Sequence, residues 1–285
     1  VRKYNIVAFI LMFSNMAIAD SLMSLWYERA QAYWTPSEIS TTAWYDADDT
    51  STITFGVGTK VSQWSDKSGN NKHITQGVAN NQPAYISSDP MLGGRPSIYA
   101  LSDGIYTRGL NQSAATSVKR VYFVCYMGNG TELIWGNHKC VFSSTDSLVR
   151  LTGRAGAAPD GTRVFDGSRA SQNFDYFTGT YTSPNLPTTF RNGSTTSTIY
   201  QLNGLPIPAT IFVVESTTTH TKTWRLLNNG ANFSVFGGGI SEFIMTDGSE
   251  DLTTQKKIEG YFAWKWGLVN LLPTDHPYKN SAPLK

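Results

Sequence analysis

Val118-Lys-Arg-Val-Tyr-Phe-Val-Cys-Tyr-Met127 gathers β-branched and aromatic residues into one stretch that contains no Gly or Pro. Such a stretch reads as a strand, because branched and aromatic side chains fit a pleated, half-buried surface. The same rhythm recurs in shorter pieces on either side. Strands are predicted at Thr52 to Phe55, Lys72 to Thr75, Leu133 to Trp135, Lys139 to Ser143, Arg163 to Phe165 and Thr188 to Phe190. Further ones fall at Ser197 to Leu202, Thr210 to Glu215, Thr223 to Leu227, Asn232 to Phe236 and Gly239 to Met245. Gly, Asn, Asp and Ser clusters separate them, which is the pattern of an antiparallel sandwich. No segment repeats at a fixed period, which disfavours a propeller, a solenoid or a β-helix. The expected fold is therefore all-β, with two sheets burying their inner faces against each other.

The composition agrees. Of 285 residues, 15% are charged and 40% hydrophobic, enough apolar material for one large sandwich, and no shift in composition marks a second globular domain. The net charge is +2 with Lys and Arg scattered, so the basic stripe of a nucleic-acid binder is missing and no nucleic-acid partner is expected. Two cysteines are too few for a disulfide framework. Cys125 reads as a small buried hydrophobe, and a hairpin bridge to Cys140 is the alternative, which requires an oxidising compartment.

Arg2 and Lys3 precede an apolar run from Ile6 to Phe13, and Ala17-Ile-Ala19 has the small residues of a cleavage site before Asp20. Residues 1–19 read either as a secretory signal peptide or as an extension upstream of a start at Met23, and the run is too short to be a stable membrane anchor. Residues 20–33 then form a linker to a domain spanning residues 34–285. Near its end, Ser249 is the expected N-cap of a helix, with Glu250 and Asp251 in its first turn. Ile258, Tyr261, Phe262 and Trp266 recur at helical spacing before Gly267 stops the run. The tail from Leu268 to Lys285, with Pro273, Pro277 and Pro283, is expected to be an extended strap over the surface.

Several blocks carry a resemblance. Trp34-Thr-Pro-Ser-Glu-Ile-Ser-Thr-Thr-Ala-Trp44-Tyr-Asp-Ala-Asp48, Val61-Ser-Gln-Trp64-Ser-Asp66-Lys-Ser-Gly69-Asn70 and Gly94-Arg95-Pro96 are similar to the opening of concanavalin A-like (laminin-G-like) domains of bacteriophage virion proteins. Ile240-Ser-Glu-Phe-Ile244, Lys257-Ile-Glu-Gly-Tyr261-Phe-Ala-Trp-Lys-Trp266-Gly-Leu268 and Leu272-Pro-Thr-Asp-His276-Pro-Tyr-Lys279 resemble the end of the same domains. The resemblance implies a jelly-roll sandwich closed by one C-terminal helix and the strap. It implies a non-catalytic virion component, of a tail fibre or similar host-contacting structure, whose partners are a host surface glycan or other virion proteins. A secreted or surface-attached bacterial lectin-like module is the alternative if the signal peptide is real, and a glycoside hydrolase is a third. Fold likeness alone does not establish sugar binding.

For hydrolysis a pair of carboxylates must flank the scissile bond. Glu242, Asp247 and Glu250 are the nearest approach, at the wrong spacing for one strand face. His73, His138, His220 and His276 do not sit at metal-ligand spacing. Asp46, Asp48, Asp49, Asp66 and Asn70 are the oxygen ligands Ca²⁺ takes, but the same residues build turns, with Gly69 supplying positive φ; turn chemistry is the preferred reading and no cofactor is expected. Trp44 and Trp64 are read as core rather than as sugar-stacking surfaces. Ligand contact is expected at a polar loop rim, in the stretches Gly153 to Ser183 and Gly193 to Thr198, where Phe174, Tyr176, Phe177 and Tyr181 offer aromatic faces; anchoring of a long loop to the sheet is the equal alternative.

Overall fold

The computed structural model describes residues 32–100, 108–127, 138–145, 150–154, 163–164, 188–191, 194–196, 200–201, 207–227 and 237–285. The first strands are β1 (Ala43–Asp46), β2 (Ile53–Phe55), β3 (Val61–Trp64), β4 (Ile74–Thr75), β5 (Ala84–Asp89) and β6 (Arg95–Ala100). Next come β7 (Leu110–Gln112), β8 (Thr116–Met127), β9 (His138–Ser144), β10 (Arg150–Arg154), β11 (Arg163–Val164) and β12 (Thr188–Arg191). β13 (Ser194–Thr196), β14 (Tyr200–Gln201), β15 (Ile207–Lys222), β16 (Trp224–Leu226) and β17 (Gly238–Thr246) complete the set before helix α1 (Leu252–Lys265).

One sheet is ordered β13-β12-β15-β8-β17-β6-β5, and β1 lies along the same edge of β17 beyond β6. The second is ordered β10-β9-β16-β7-β4-β3-β2, while β11 and β14 form a separate two-stranded ribbon. The pairings are antiparallel, as expected for an all-β sandwich. The chain crosses from the first sheet to the second at Thr223, between β15 and β16.

β8 explains the layering. Its Val121, Phe123 and Cys125 face the core between the sheets, whereas Tyr122, Val124 and Tyr126 face a second apolar cluster under α1. A strand covered on both faces needs apolar residues in succession rather than in alternation, which is why this stretch reads as a continuous run. Phe212, Phe123 and Phe243 stand directly opposite one another on β15, β8 and β17, with ring centroids 5.2 and 5.4 Å apart. Phe142 and Trp224 of the second sheet stack at 4.4 Å, and Phe142 meets Phe243 at 5.3 Å, so the two sheets share one aromatic core.

The third layer is α1 and the strap. The Asp251 carboxylate accepts the Thr254 amide at 2.7 Å, so Asp251 rather than Ser249 is the N-cap, and Glu250 lies before the helix instead of in its first turn. At the other end Gly267 takes φ 71°, and the Leu268 amide donates to the Ala263 carbonyl at 2.7 Å. That is the Schellman closure a glycine permits. The strap returns to the N-terminal segment: Trp34 N–H donates to the Pro283 carbonyl at 3.0 Å and Lys285 N–H to the Ala32 carbonyl at 3.1 Å.

Of the other expectations, some are revised and some hold. β1, β3, β5, β6, β7, β10 and β13 are strands that the run pattern did not predict, and β15 extends well beyond Thr210 to Glu215. Cys125 is a buried thiol of the core; β8 and β9 belong to different sheets, so the hairpin that a bridge to Cys140 would need is not formed. Trp44 and Trp64 are core residues. The strands expected at Leu133 to Trp135 and Asn232 to Phe236 lie outside the described residues, as do residues 1–31.

Candidate functional site

β17 changes register against β8 between Ile240 and Glu242. The extra residue at this bulge, Ser241, shifts the alternation, so Phe243 stays in the inter-sheet core while Glu242 falls on the face beneath α1. There it stands directly opposite Asp46 of β1. Two carboxylates facing each other across a strand pair repel. Lys265, from the last turn of α1, relieves this: its ammonium lies 2.6 Å from Asp46 Oδ1 and 2.9 Å from Glu242 Oε2.

Glu242 is fully buried, and donors satisfy both of its oxygens. Oε1 accepts from Trp44 Nε1 at 2.7 Å and the Tyr261 hydroxyl at 2.9 Å; Oε2 accepts from Trp266 Nε1 at 2.7 Å as well as Lys265. Burial pushes the Glu242 carboxyl up from its ordinary range, while Lys265 and Trp44 pull it down. Indole N–H groups donate only, so this cage is built for a carboxylate. Asp46 also receives Lys67 at 2.8 Å, which in turn reaches Asp49 at 2.8 Å and sits 4.6 Å over the Trp44 ring. Burial and then the Glu242 and Asp46 charges push the Tyr261 hydroxyl up.

Directly above Lys265 opens a cavity of about 300 Å³ lined by Tyr33, Trp34, Thr35, Tyr261, Trp264, Lys265, Ala282 and Pro283. The buried Trp34 and the partly buried Tyr261 meet edge to face at 6.1 Å and form its base. Tyr33 and Trp264, 68% and 40% exposed, form its sides. Trp264 Nε1 donates to the Tyr278 carbonyl at 2.9 Å, which ties this wall to the strap. Within the strap, His276 Nδ1 accepts the Tyr278 amide at 3.2 Å, so Nε2 carries the proton that faces Glu259 Oε2 at 3.1 Å. Burial would raise the Glu259 carboxyl, but hydrogen bonds from His276, Lys256 and Gln255 hold it below its ordinary value.

The residues predicted from sequence fare differently. Asp66 is a turn residue: its oxygens accept from the Trp44, Ser68 and Lys72 amides, each at 2.9 Å, and from the Ser68 hydroxyl at 2.7 Å. Asn70 donates through Nδ2 to the Thr41 carbonyl at 2.8 Å, and Gly69 takes φ 86°. Asp48 is exposed, and its amide bonds Asp46 Oδ1 at 3.1 Å. Of this group Asp46 receives Lys67 and Lys265 and Asp49 receives Lys67, and among the described residues no three His, Cys, Asp or Glu side chains gather as a metal site. Phe174, Tyr176, Phe177 and Tyr181 lie outside the described residues. The cavity was not foreseen. Its trace in the sequence is the pair Tyr261 and Trp264, three apart on one helix, with Tyr33-Trp34 at the far end of the domain.

Fold and site together define an all-β sandwich that carries an aromatic cavity on its helix-covered face. Comparison with protein-family models, with curated proteins and with solved structures found no match.

Proposed function

We propose that this protein is a non-catalytic binding protein that recognises a glycan, with a concanavalin A-like jelly roll as its scaffold and a bacteriophage virion, in a tail fibre or similar host-contacting part, as its setting. The observation that carries the binding reading is the cavity between Tyr33, Trp34, Tyr261 and Trp264. Aromatic faces beside a few polar groups suit a sugar ring, whose C–H face is apolar and whose rim is polar. The nearby carboxylates Asp46 and Glu242 support a role without chemistry, since their oxygens receive lysine, indole and phenol donors of the protein itself. The virion setting rests on the resemblance of the terminal blocks.

Exposing the purified protein to host surface polysaccharides tests this reading, with retention and new reducing ends followed together. Retention without release is the expected result. Release of reducing ends overturns the non-catalytic reading, and absence of retention overturns the glycan one.

A further inference from the structure

We infer, resting on the glycan reading above, that the cavity beside Lys265 admits uncharged saccharide rings and turns away both acidic and amine-bearing ones. Lys265 is the one charged residue among the described lining groups. Its ammonium is already neutralised by Asp46 at 2.6 Å and Glu242 at 2.9 Å, and it also donates to the Tyr261 hydroxyl at 3.1 Å. An acidic sugar entering here finds a lysine whose charge is cancelled, with two carboxylates directly behind it. An amine-bearing sugar finds no carboxylate among these lining groups, because Asp46 and Glu242 lie behind Lys265 with their oxygens already receiving donors of the protein itself, so its ammonium would be desolvated without a partner. The volume of about 300 Å³ lies at the lower end for ligand pockets and suits one ring rather than several. Thr35, whose hydroxyl is shared with Ser37 at 2.6 Å, offers a neutral polar group at the rim.

The test is binding of the full chain to immobilised neutral, uronate- or sialate-bearing, and amine-bearing glycans, repeated with Trp264→Ala and with Tyr33→Ala. The expected outcome is retention by neutral glycans alone, at least tenfold weaker in each variant. Tyr33 is well exposed, so its variant separates loss of a binding surface from loss of fold. Equal retention of acidic or amine-bearing glycans overturns the charge selection while leaving glycan binding standing. Neutral retention unaffected by either variant shows a site elsewhere and overturns the assignment to this cavity. Absence of all retention, or a concentration-dependent dimer abolished by Trp264→Ala, overturns it in favour of another occupant.

Discussion

Glu242 is held by two buried indoles, a phenol and an ammonium. Glu242→Gln keeps the shape but turns an amide N–H₂ toward donors and leaves Lys265 with Asp46 as its only carboxylate in the cage. Breaking one side of a buried ion pair typically costs about 3 kcal/mol or more, so denaturant unfolding should show a loss of that order; a loss below about 1 kcal/mol would mean that the cage is not tightly closed. Glu259 makes a pH prediction. Its carboxyl titrates below the ordinary value of 4.5 in the folded protein. The unfolded chain therefore binds more protons there, and the stabilisation is present above that value and lost as pH falls through the folded one. Unfolding measured on the acid side should accordingly depend less on pH in Glu259→Gln than in the parent protein, and an unchanged slope would remove Glu259 from the account.

Helix α1 and the strap act as a clamp on the outer face of the first sheet. Trp266, 2% exposed, packs in the cluster with Trp34, Trp44 and Ile258. Trp266→Ala removes this packing and one donor to Glu242, and thermal or chemical unfolding should register a loss of about 3 kcal/mol or more. Gly260 is where helix and strap come closest: a Cβ built there lies 2.6 Å from Tyr278 Cβ. Gly260→Ala should therefore destabilise by about 1–3 kcal/mol despite alanine's better helix propensity, with the strap displaced; a stabilised variant would contradict this packing. The helix was legible because one face repeats at helical spacing and Gly267 ends it, yet the cap was misplaced by two residues because Ser249, Glu250 and Asp251 are all competent in a first turn or as a cap. Strands rich in apolar residues, such as β8 and β17, were legible too. β6 was not, since Pro96 argues against a strand, and β1 holds only four residues whose pairing with β17 lies some two hundred positions away. The cavity was hidden for the same reason: its walls come from opposite ends of the domain, and no local period connects Tyr33 to Trp264 or Pro283.

Across the whole molecule, the three layers differ in what holds them. The central strands β8 and β17 lie between the inter-sheet core and the cluster under α1, and all nine positions of β17 are buried. The strap instead closes against residues 32–34 through a few backbone hydrogen bonds, beside Tyr33 and Leu284, both exposed, and through the ion pair of Lys285 with Glu38 at 2.6 Å. An exposed ion pair contributes about 0–1 kcal/mol, and exposed backbone bonds open locally at little cost. Opening this edge leaves the Phe212, Phe123 and Phe243 ladder untouched, because those rings pack on the far side of the sheet from the strap. Native-state hydrogen exchange should therefore resolve two classes of amide. Those of Phe123 and Ile244 should exchange only through global unfolding, with a free energy that falls steeply as denaturant is added. That of Lys285, bonded to the carbonyl of the exposed Ala32, should exchange through local opening, at lower free energy and with little dependence on denaturant. If all three exchanged at one common free energy with one common dependence, the strap would be an integral part of the cooperative core, and the cavity it walls would be as rigid as the sandwich itself.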